Sequence, residues 1–235
     1  MIRFFDGGMG SMLNLKAGEL PEKLNISDPE RVFAVHEGYA KAGAEFITAN
    51  TFGANSLKYD NVDELVKAGV ALAKKAGKKV ALDIGPTGKL LKPMGDLDFE
   101  RAVELFSEVV RAGKDGADVA IIETMSDMYE LKAAVLAVKE NSDLPIITSM
   151  IFDESGRLLT GGDVKSAVAM LEGLRVDAVG FNCGLGPKQM IELVKELRAC
   201  TSLPILVMPN AGLPESVDGK TVYNVSPDEF AEDMR

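Results

Sequence analysis

The sequence predicts an α/β fold, a (β/α)8 TIM barrel of which this chain holds seven strand–helix units. Short apolar, β-branched runs alternate with segments of helical periodicity along all 235 residues. The connections between them are short, as in parallel sheets whose strands are joined by helices. We therefore expect one barrel domain over residues 1–235, with its eighth strand missing from the sequence. Two alternatives are a partner that covers the gap and an open doubly wound sheet.

Seven runs are predicted as strands because they are short, apolar and rich in Val, Ile or Phe. They span 2–5, 45–49, 80–84, 119–122, 146–151, 178–181 and 205–208. Three longer connections stand out between the predicted elements. These are 13–27, the turn 153–157, which we expect to form a small hairpin, and 213–225.

Helices are predicted where a capping residue or a first-turn proline precedes apolar residues at helical spacing. These start signals are Asp28 with Pro29, Asp98, Ser126, Asp163, Pro187, and Ser226 with Pro227. A further helix is predicted over 62–76, which is rich in Ala and Lys. The Ser226 signal is a capping box, because Glu229 follows three residues later.

Charge and composition exclude several classes of protein. The formal net charge of −10 argues against a nucleic-acid partner, which needs a basic face to neutralise phosphates. No apolar run approaches the roughly 20 residues of a membrane span, and no export signal is visible. With only two cysteines, a disulfide framework is not expected, so we predict a cytoplasmic enzyme or binding protein for a small molecule.

Polar residues directly follow the predicted strands, where α/β barrels place their catalytic groups. Any one of these side chains is equally well explained by a local turn or a helix cap. Together, however, they predict a binding or catalytic site. They are Asp6, Gly7, Gly8, Asn50, Thr51, Asp83, Glu123, Thr124, Ser149, Asn182, Cys183 and Asn210.

The chemistry of this set suits an amino-acid ligand. The carboxylates of Asp6, Asp83 and Glu123 can hold an ammonium group, and the backbone amides after Asp6 can take a carboxylate. Cys183 adds a thiolate able to attack a substrate or to bind a soft metal. The alternative for Cys183 is a small buried hydrophobe, which is how most free cysteines behave.

Three other residue types constrain the chemistry. The one histidine, His36, falls on the first predicted helix and is expected to be a surface or packing residue, which argues against a Cys–His pair. No lysine stands at a strand end, as a Schiff-base aldolase requires. Cys200 ends the helix that Pro187 begins, roughly 20 Å from Cys183, and is therefore predicted to be a structural thiol.

Motifs spread over the whole chain resemble the homocysteine S-methyltransferase family. Within it, they are most similar to the homocysteine-binding modules of bacterial cobalamin-dependent methionine synthases. The motifs are Asp6-Gly7-Gly8-Met9-Gly10-Ser11, Leu24-Asn25-Ile26-Ser27, Thr48-Ala49-Asn50-Thr51-Phe52-Gly53-Ala54-Asn55, Asp83-Ile84-Gly85-Pro86-Thr87-Gly88, Glu123-Thr124-Met125-Ser126-Asp127, Gly180-Phe181-Asn182-Cys183 and Pro209-Asn210-Ala211-Gly212.

The resemblance implies a (β/α)8 barrel in which zinc activates the thiol of homocysteine. Asp6 and Glu123 would hold the ammonium group of the substrate, and the amides near Gly7 and Gly8 its carboxylate. Cys183 would be the first zinc ligand. Two further zinc cysteines belong to a Gly-Gly-Cys-Cys segment that the sequence does not contain. The remaining predicted substrate-binding residues are Asn50, Thr51, Ser149 and Asn182.

The leading hypothesis is an enzyme of methionine biosynthesis that transfers a methyl group to homocysteine. The donor would be methylcobalamin carried by another domain or protein. One alternative is a non-catalytic amino-acid-binding module, or an incomplete barrel without zinc. A third hypothesis is a pterin- or corrinoid-using barrel from a neighbouring family.

Overall fold

The computed structural model describes residues 2–212, 214–217 and 220–235. Six strands form one sheet in chain order, and the strands run parallel to one another. The strands are β1 (Phe46–Thr48), β2 (Lys79–Ile84), β3 (Val119–Met125), β4 (Ile146–Met150), β5 (Ala178–Asn182) and β6 (Ile205–Met208). Because parallel strands need crossover connections, a helix follows each of β1 to β5.

The longer helices begin at the predicted positions or within two residues of them. The α-helices are α1 (Met9–Met12), α2 (Leu24–Ser27), α3 (Pro29–Ala42), α4 (Val62–Lys75), α5 (Phe99–Gly113), α6 (Met128–Asn141), α7 (Val164–Gly173), α8 (Pro187–Cys200) and α9 (Pro227–Asp233). Short 3-10 turns lie at Pro21–Lys23 and Lys114–Gly116. The predicted alternation of strands and helices is therefore confirmed.

The first predicted strand, 2–5, is wrong as a strand. Only Phe5 forms a parallel bridge, to Phe46, and the two rings stack with centroids 4.5 Å apart. The Phe4 carbonyl also accepts from the N–H groups of Glu45 and Phe46, at 2.8 and 3.3 Å. Ile2 and Phe4 remain 80% and 64% exposed. The segment lies beside β1 but forms no continuous ladder of hydrogen bonds with it, because the outward side chains of Ile2 and Phe4 are not buried.

Helix caps were predicted correctly at two sites and wrongly at two others. Asp163 and Ser226 form complete capping boxes. Asp28 occupies the N-cap position of α3, but its side chain makes no capping bond. Ahead of α6, the cap is Asp127 and not Ser126, since Asp127 Oδ1 accepts the N–H three residues on at 2.9 Å. Adjacent Ser and Asp residues offer two possible N-caps, and the sequence does not choose between them.

The predicted insertions contain local structure. Residues 213–225 include an antiparallel hairpin of β7 (Pro214–Val217) and β8 (Lys220–Tyr223), while residues 213, 218 and 219 lie outside the described residues. The turn at 153–157 is closed by an N–H···O bond of 3.0 Å from Asp153 to Arg157. Its antiparallel bridge joins Arg157 to Asp163, so the predicted hairpin is reduced to one bridge.

The chain divides into two compact units. Unit 1 contains Met1–Ile122 and Lys132–Ile146, and unit 2 contains Glu123–Leu131 and Ile147–Arg235. Each unit has its own buried apolar residues, among them Ile47 and Leu82 in unit 1 and Phe181 in unit 2. The expectation of one barrel domain over residues 1–235 stays a prediction. In the described residues, no helix combines the length and apolar character needed to cross a membrane.

His36 lies on α3 inside unit 1 and is fully buried, which confirms the packing alternative for this residue. Among the residues that the structure describes, neither ring nitrogen has a hydrogen-bond partner. Burial lowers the pKa of His36 from 6.5 to about 4. Between these values the unfolded chain binds a proton that the folded chain does not. His36 therefore makes the protein less stable as the pH falls from 6.5 towards 4.

We predict that His36→Leu reduces this acid destabilisation. The free energy of unfolding of the variant should fall less between pH 7 and about pH 4.5, with a difference of up to ~3 kcal/mol. Urea unfolding at the two pH values measures it. Phe33→Leu, a change in a partly buried residue of the same helix, is the control and should leave the pH dependence unchanged. Equal slopes for the wild type and His36→Leu would contradict the assignment.

Candidate active site

The side chain of Asn182 connects the carboxyl ends of three strands in unit 2. Its Oδ1 accepts the Thr124 N–H at 2.9 Å and the Ser149 hydroxyl at 2.7 Å. Its Nδ2 donates to Thr124 Oγ1 at 2.7 Å and approaches Cys183 Sγ at 3.4 Å. Thr124 belongs to β3, Ser149 to β4 and Asn182 to β5. Four predicted site residues, Thr124, Ser149, Asn182 and Cys183, are thus brought together.

Burial explains why this network is complete. Asn182 is 2% exposed and Ser149 is fully buried, so any polar group left without a partner would cost stability. Strands β5 and β6 can approach each other closely because β5 has a glycine at Gly180. A Cβ atom there would lie 1.9 Å from the Leu206 carbonyl oxygen of β6. The Gly-Phe-Asn-Cys motif therefore has a packing role at its first position and a polar role at its last two.

Thr124 and Cys183 share an unusual backbone conformation. Their φ angles are +59° and +57°, in the left-handed region that residues with a Cβ seldom adopt. The Cys183 N–H donates to the Met208 carbonyl at 3.1 Å, and its own carbonyl accepts from Leu185 at 2.7 Å. Such conformations persist only where surrounding contacts hold them, and they are frequent at functional sites.

Glu123 directly precedes Thr124 in β3 and is partly buried. Cys183 is also partly buried, and it is a free thiol. Unit 2 therefore contains an acid and a thiol at strand ends, as predicted, with Ser149 and Asn182 beneath them. The described residues do not by themselves form a zinc site: no three His, Cys, Asp or Glu side chains are grouped to hold a metal ion.

In unit 1, Asp6 is a buried carboxylate without a basic partner in the described part of the chain. It is 7% exposed. Its Oδ2 accepts the Thr48 N–H at 2.8 Å, and its Oδ1 accepts the Thr48 hydroxyl at 2.6 Å. Burial raises the pKa of Asp6 to about 7, although the bonds from Thr48 oppose the shift. A cationic ligand would favour the ionised form.

The turn after Asp6 is packed against Tyr39 of α3. A Cβ atom at Gly7 would lie 2.8 Å from the Tyr39 hydroxyl oxygen, so a larger residue at this position would have to displace the Tyr39 ring. The Gly8 carbonyl accepts from Ser11 Oγ at 3.0 Å. Burial raises the pKa of Tyr39, and the charge of Asp6 adds to the shift. Within the described residues, the N–H groups of Gly7 and Gly8 have no protein acceptor, which leaves them available to an anion.

Asn50 and Thr51 are buried at the end of β1, and their side chains bond to protein groups. Asn50 Nδ2 donates to the Pro21 carbonyl and to Asn25 Oδ1, both at 2.8 Å. The Thr51 hydroxyl donates to the Asp83 carbonyl, also at 2.8 Å. In this structure they hold neighbouring loops in place. Their predicted role in substrate binding stays a prediction.

The buried acid Glu22 was missed by the sequence analysis. Glu22 is 2% exposed, accepts the Gly53 N–H at 2.6 Å and the Tyr59 hydroxyl, and lies 3.5 Å from Lys58 Nζ. Burial and Glu22 raise the pKa of Tyr59. Glu22 falls in a polar insertion, where the sequence resembles an ordinary exposed loop. Its partners lie more than 30 residues away, so local patterns carry no signal for it.

A family model described as homocysteine S-methyltransferase matches residues 3–235. Among curated proteins, a methionine synthase of Mycobacterium tuberculosis is 30% identical over 258 residues, which covers 97% of this chain and 22% of that protein. A methionine synthase of Mycobacterium leprae is 30% identical over 232 residues, covering 90% and 19%. The chain thus spans about a fifth of the length of these relatives.

Solved structures give the same family. The metallated form of the homocysteine methyltransferase MmuM from Escherichia coli matches with a TM-score of 0.80 and 24% identity, over 90% of this chain and 84% of that one. Its apo form matches with a TM-score of 0.75 and 27% identity, over 90% and 82%. With the six parallel strands, these matches confirm the predicted α/β barrel class.

Proposed function

Because the chain belongs to the homocysteine S-methyltransferase family, we propose that it binds homocysteine and presents the substrate thiol to a methyl donor. The sulfur gains the methyl group and loses its proton, and the product is methionine. The observation that carries the proposal is the family match over residues 3–235. The thiol Cys183, which follows β5, and the buried acid Asp6, which follows the bridge at Phe5, support it.

We propose that acidic side chains and backbone amides bind the ammonium and carboxylate groups of the substrate. Asp6 and Glu123 would hold the ammonium group, and the N–H groups of Gly7 and Gly8 would bind the carboxylate. Asp6 is buried and has no basic partner among the described residues, which supports its proposed role, because a substrate ammonium would supply a positive charge. Asn50 and Thr51 remain proposed substrate-binding residues.

At the thiol end, the proposed residues are Cys183, Asn182 and Ser149. The family resemblance makes Cys183 a zinc ligand, and bound zinc would favour the thiolate form of homocysteine. In the described residues Cys183 stands without two further metal ligands, so zinc would need ligands from elsewhere, and no step proposed here depends on it. Elemental analysis with homocysteine present tests this. A zinc content unchanged by Cys183→Ser would exclude Cys183 as a ligand.

The methyl donor is proposed to be methylcobalamin on another domain or protein. Support comes from the resemblance to cobalamin-dependent methionine synthases, together with the fifth of their length that the chain spans. We also propose that residues 1–235 form a single barrel domain and that the protein is located in the cytoplasm. The two free thiols, Cys183 and Cys200, suit a reducing compartment.

Isothermal titration calorimetry with homocysteine tests the proposed function. Asp6→Asn and Glu123→Gln should each weaken binding by about 10- to 100-fold, the usual cost of losing a hydrogen bond to a charged group. For the wild type, the affinity should rise by about tenfold from pH 6 to pH 8, because the ammonium binds ionised Asp6, whose pKa is about 7. This rise should be absent in Asp6→Asn.

The control for these titrations is Glu104→Gln, which removes a half-exposed surface acid and should leave binding unchanged. Homoserine, which replaces the substrate thiol by a hydroxyl, shows whether the sulfur is recognised. No detectable homocysteine binding by the folded wild-type chain would contradict the proposal. Equal weakening by Glu104→Gln and Asp6→Asn would contradict the assignment of Asp6.

A further inference from the structure

The Asn182 amide has no hydrogen-bonding capacity left for a ligand. A primary amide offers two acceptor positions on oxygen and two hydrogens on nitrogen. The N–H of Thr124 and the hydroxyl of Ser149 occupy the oxygen, at 2.9 and 2.7 Å. Thr124 Oγ1 and Cys183 Sγ take the two hydrogens, at 2.7 and 3.4 Å. The group is also 2% exposed. These contacts do not fit a substrate-binding side chain.

The contact between Asn182 and Cys183 depends on the backbone turn at Cys183. Successive side chains of a strand point to opposite faces, so neighbours do not normally touch. The φ angle of +57° at Cys183 breaks this alternation and brings Sγ beside the Asn182 amide. Thr124, with a φ angle of +59°, donates its N–H to the oxygen of the same amide and accepts from the amide nitrogen with its hydroxyl oxygen. The Asn182 side chain thus contacts two residues with a left-handed backbone conformation, Thr124 and Cys183.

We propose that Asn182 is a positioning residue that fixes the Cys183 sulfur and the Glu123–Thr124 backbone relative to each other, without contacting the substrate. This inference rests on the proposed function, in which Cys183 and Glu123 act on homocysteine. Ser149 supports Asn182 from β4 by donating to its oxygen. Loss of the Asn182 amide releases the sulfur, whereas loss of Ser149 only loosens the amide.

The test measures alkylation of Cys183 by iodoacetamide. Cys200→Ser serves as the parent, so that Cys183 is the one thiol in the chain. All samples contain a chelator and are held at about pH 9.5, which is about one unit above the ordinary pKa of a cysteine thiol. Asn182→Ala should react about fivefold faster, because a hydrogen bond to the sulfur is lost and space opens beside it.

Two further variants test the path through Ser149. Ser149→Ala should accelerate alkylation less than Asn182→Ala. The double variant should react no faster than Asn182→Ala alone, since residues in one network are not additive. Thr148→Val is the matched control. It removes another buried hydroxyl of β4, which bonds the Ala178 carbonyl at 3.2 Å without touching Asn182, and the rate should stay within about twofold of the parent.

If Asn182→Ala does not fold, a second pair of variants with smaller changes tests the same inference. Thr124→Val removes only the hydroxyl that accepts from Asn182, whereas Thr124→Ser keeps it. The valine variant should react faster than the serine variant. Equal rates in this pair, or an Asn182→Ala rate within about twofold of the parent, would overturn the inference. So would acceleration by Thr148→Val as large as that by Asn182→Ala.

The assay contains neither homocysteine nor a methyl donor, so its outcome does not depend on the proposed function. Failure of homocysteine binding in calorimetry leaves the alkylation result intact. Conversely, weaker homocysteine binding by Asn182→Ala, with an unchanged alkylation rate, would make Asn182 a substrate contact and overturn the positioning role.

Discussion

The hydrogen bonds of the Asn182 amide are the interaction on which the thiol end of the candidate site depends. They join residues from three strands, and they contact Thr124 and Cys183, both of which have left-handed backbone conformations. A parallel sheet places its strand ends along one edge, but it does not orient the side chains there. In unit 2 that orientation comes from one buried, fully bonded amide.

Unit 1 shows the complementary principle at Asp6. Thr48 gives this carboxylate two hydrogen bonds, yet burial still dominates and keeps its pKa near 7. A buried acid without a basic partner lowers stability when it ionises, and a cationic ligand offsets that cost. A buried acid of this kind is what an ammonium-binding site requires, and a site that served only the fold would gain nothing from it.

The sequence was sufficient for the class of fold and for the positions of six strands, because each is a distinct apolar run between helical periods. It also indicated Asp6, Glu123 and Cys183 as candidate site residues, since polar residues after apolar runs are visible without coordinates. Side-chain partners were not predictable. Thr124 and Asn182 lie 58 residues apart, and local patterns carry no information about such pairs. The left-handed φ angles likewise follow from tertiary contacts and not from residue type.

The central claim is that the sulfur of homocysteine comes to rest beside Cys183. Treatment with homocystine, the disulfide of two homocysteines, tests it directly. Attack by the Cys183 thiolate would form a mixed disulfide and release one homocysteine. Peptide mass spectrometry should find Cys183 modified about tenfold more than Cys200, with no such preference for the uncharged 2-hydroxyethyl disulfide. Equal labelling of the two cysteines by homocystine, or equal preference with both reagents, would contradict the account.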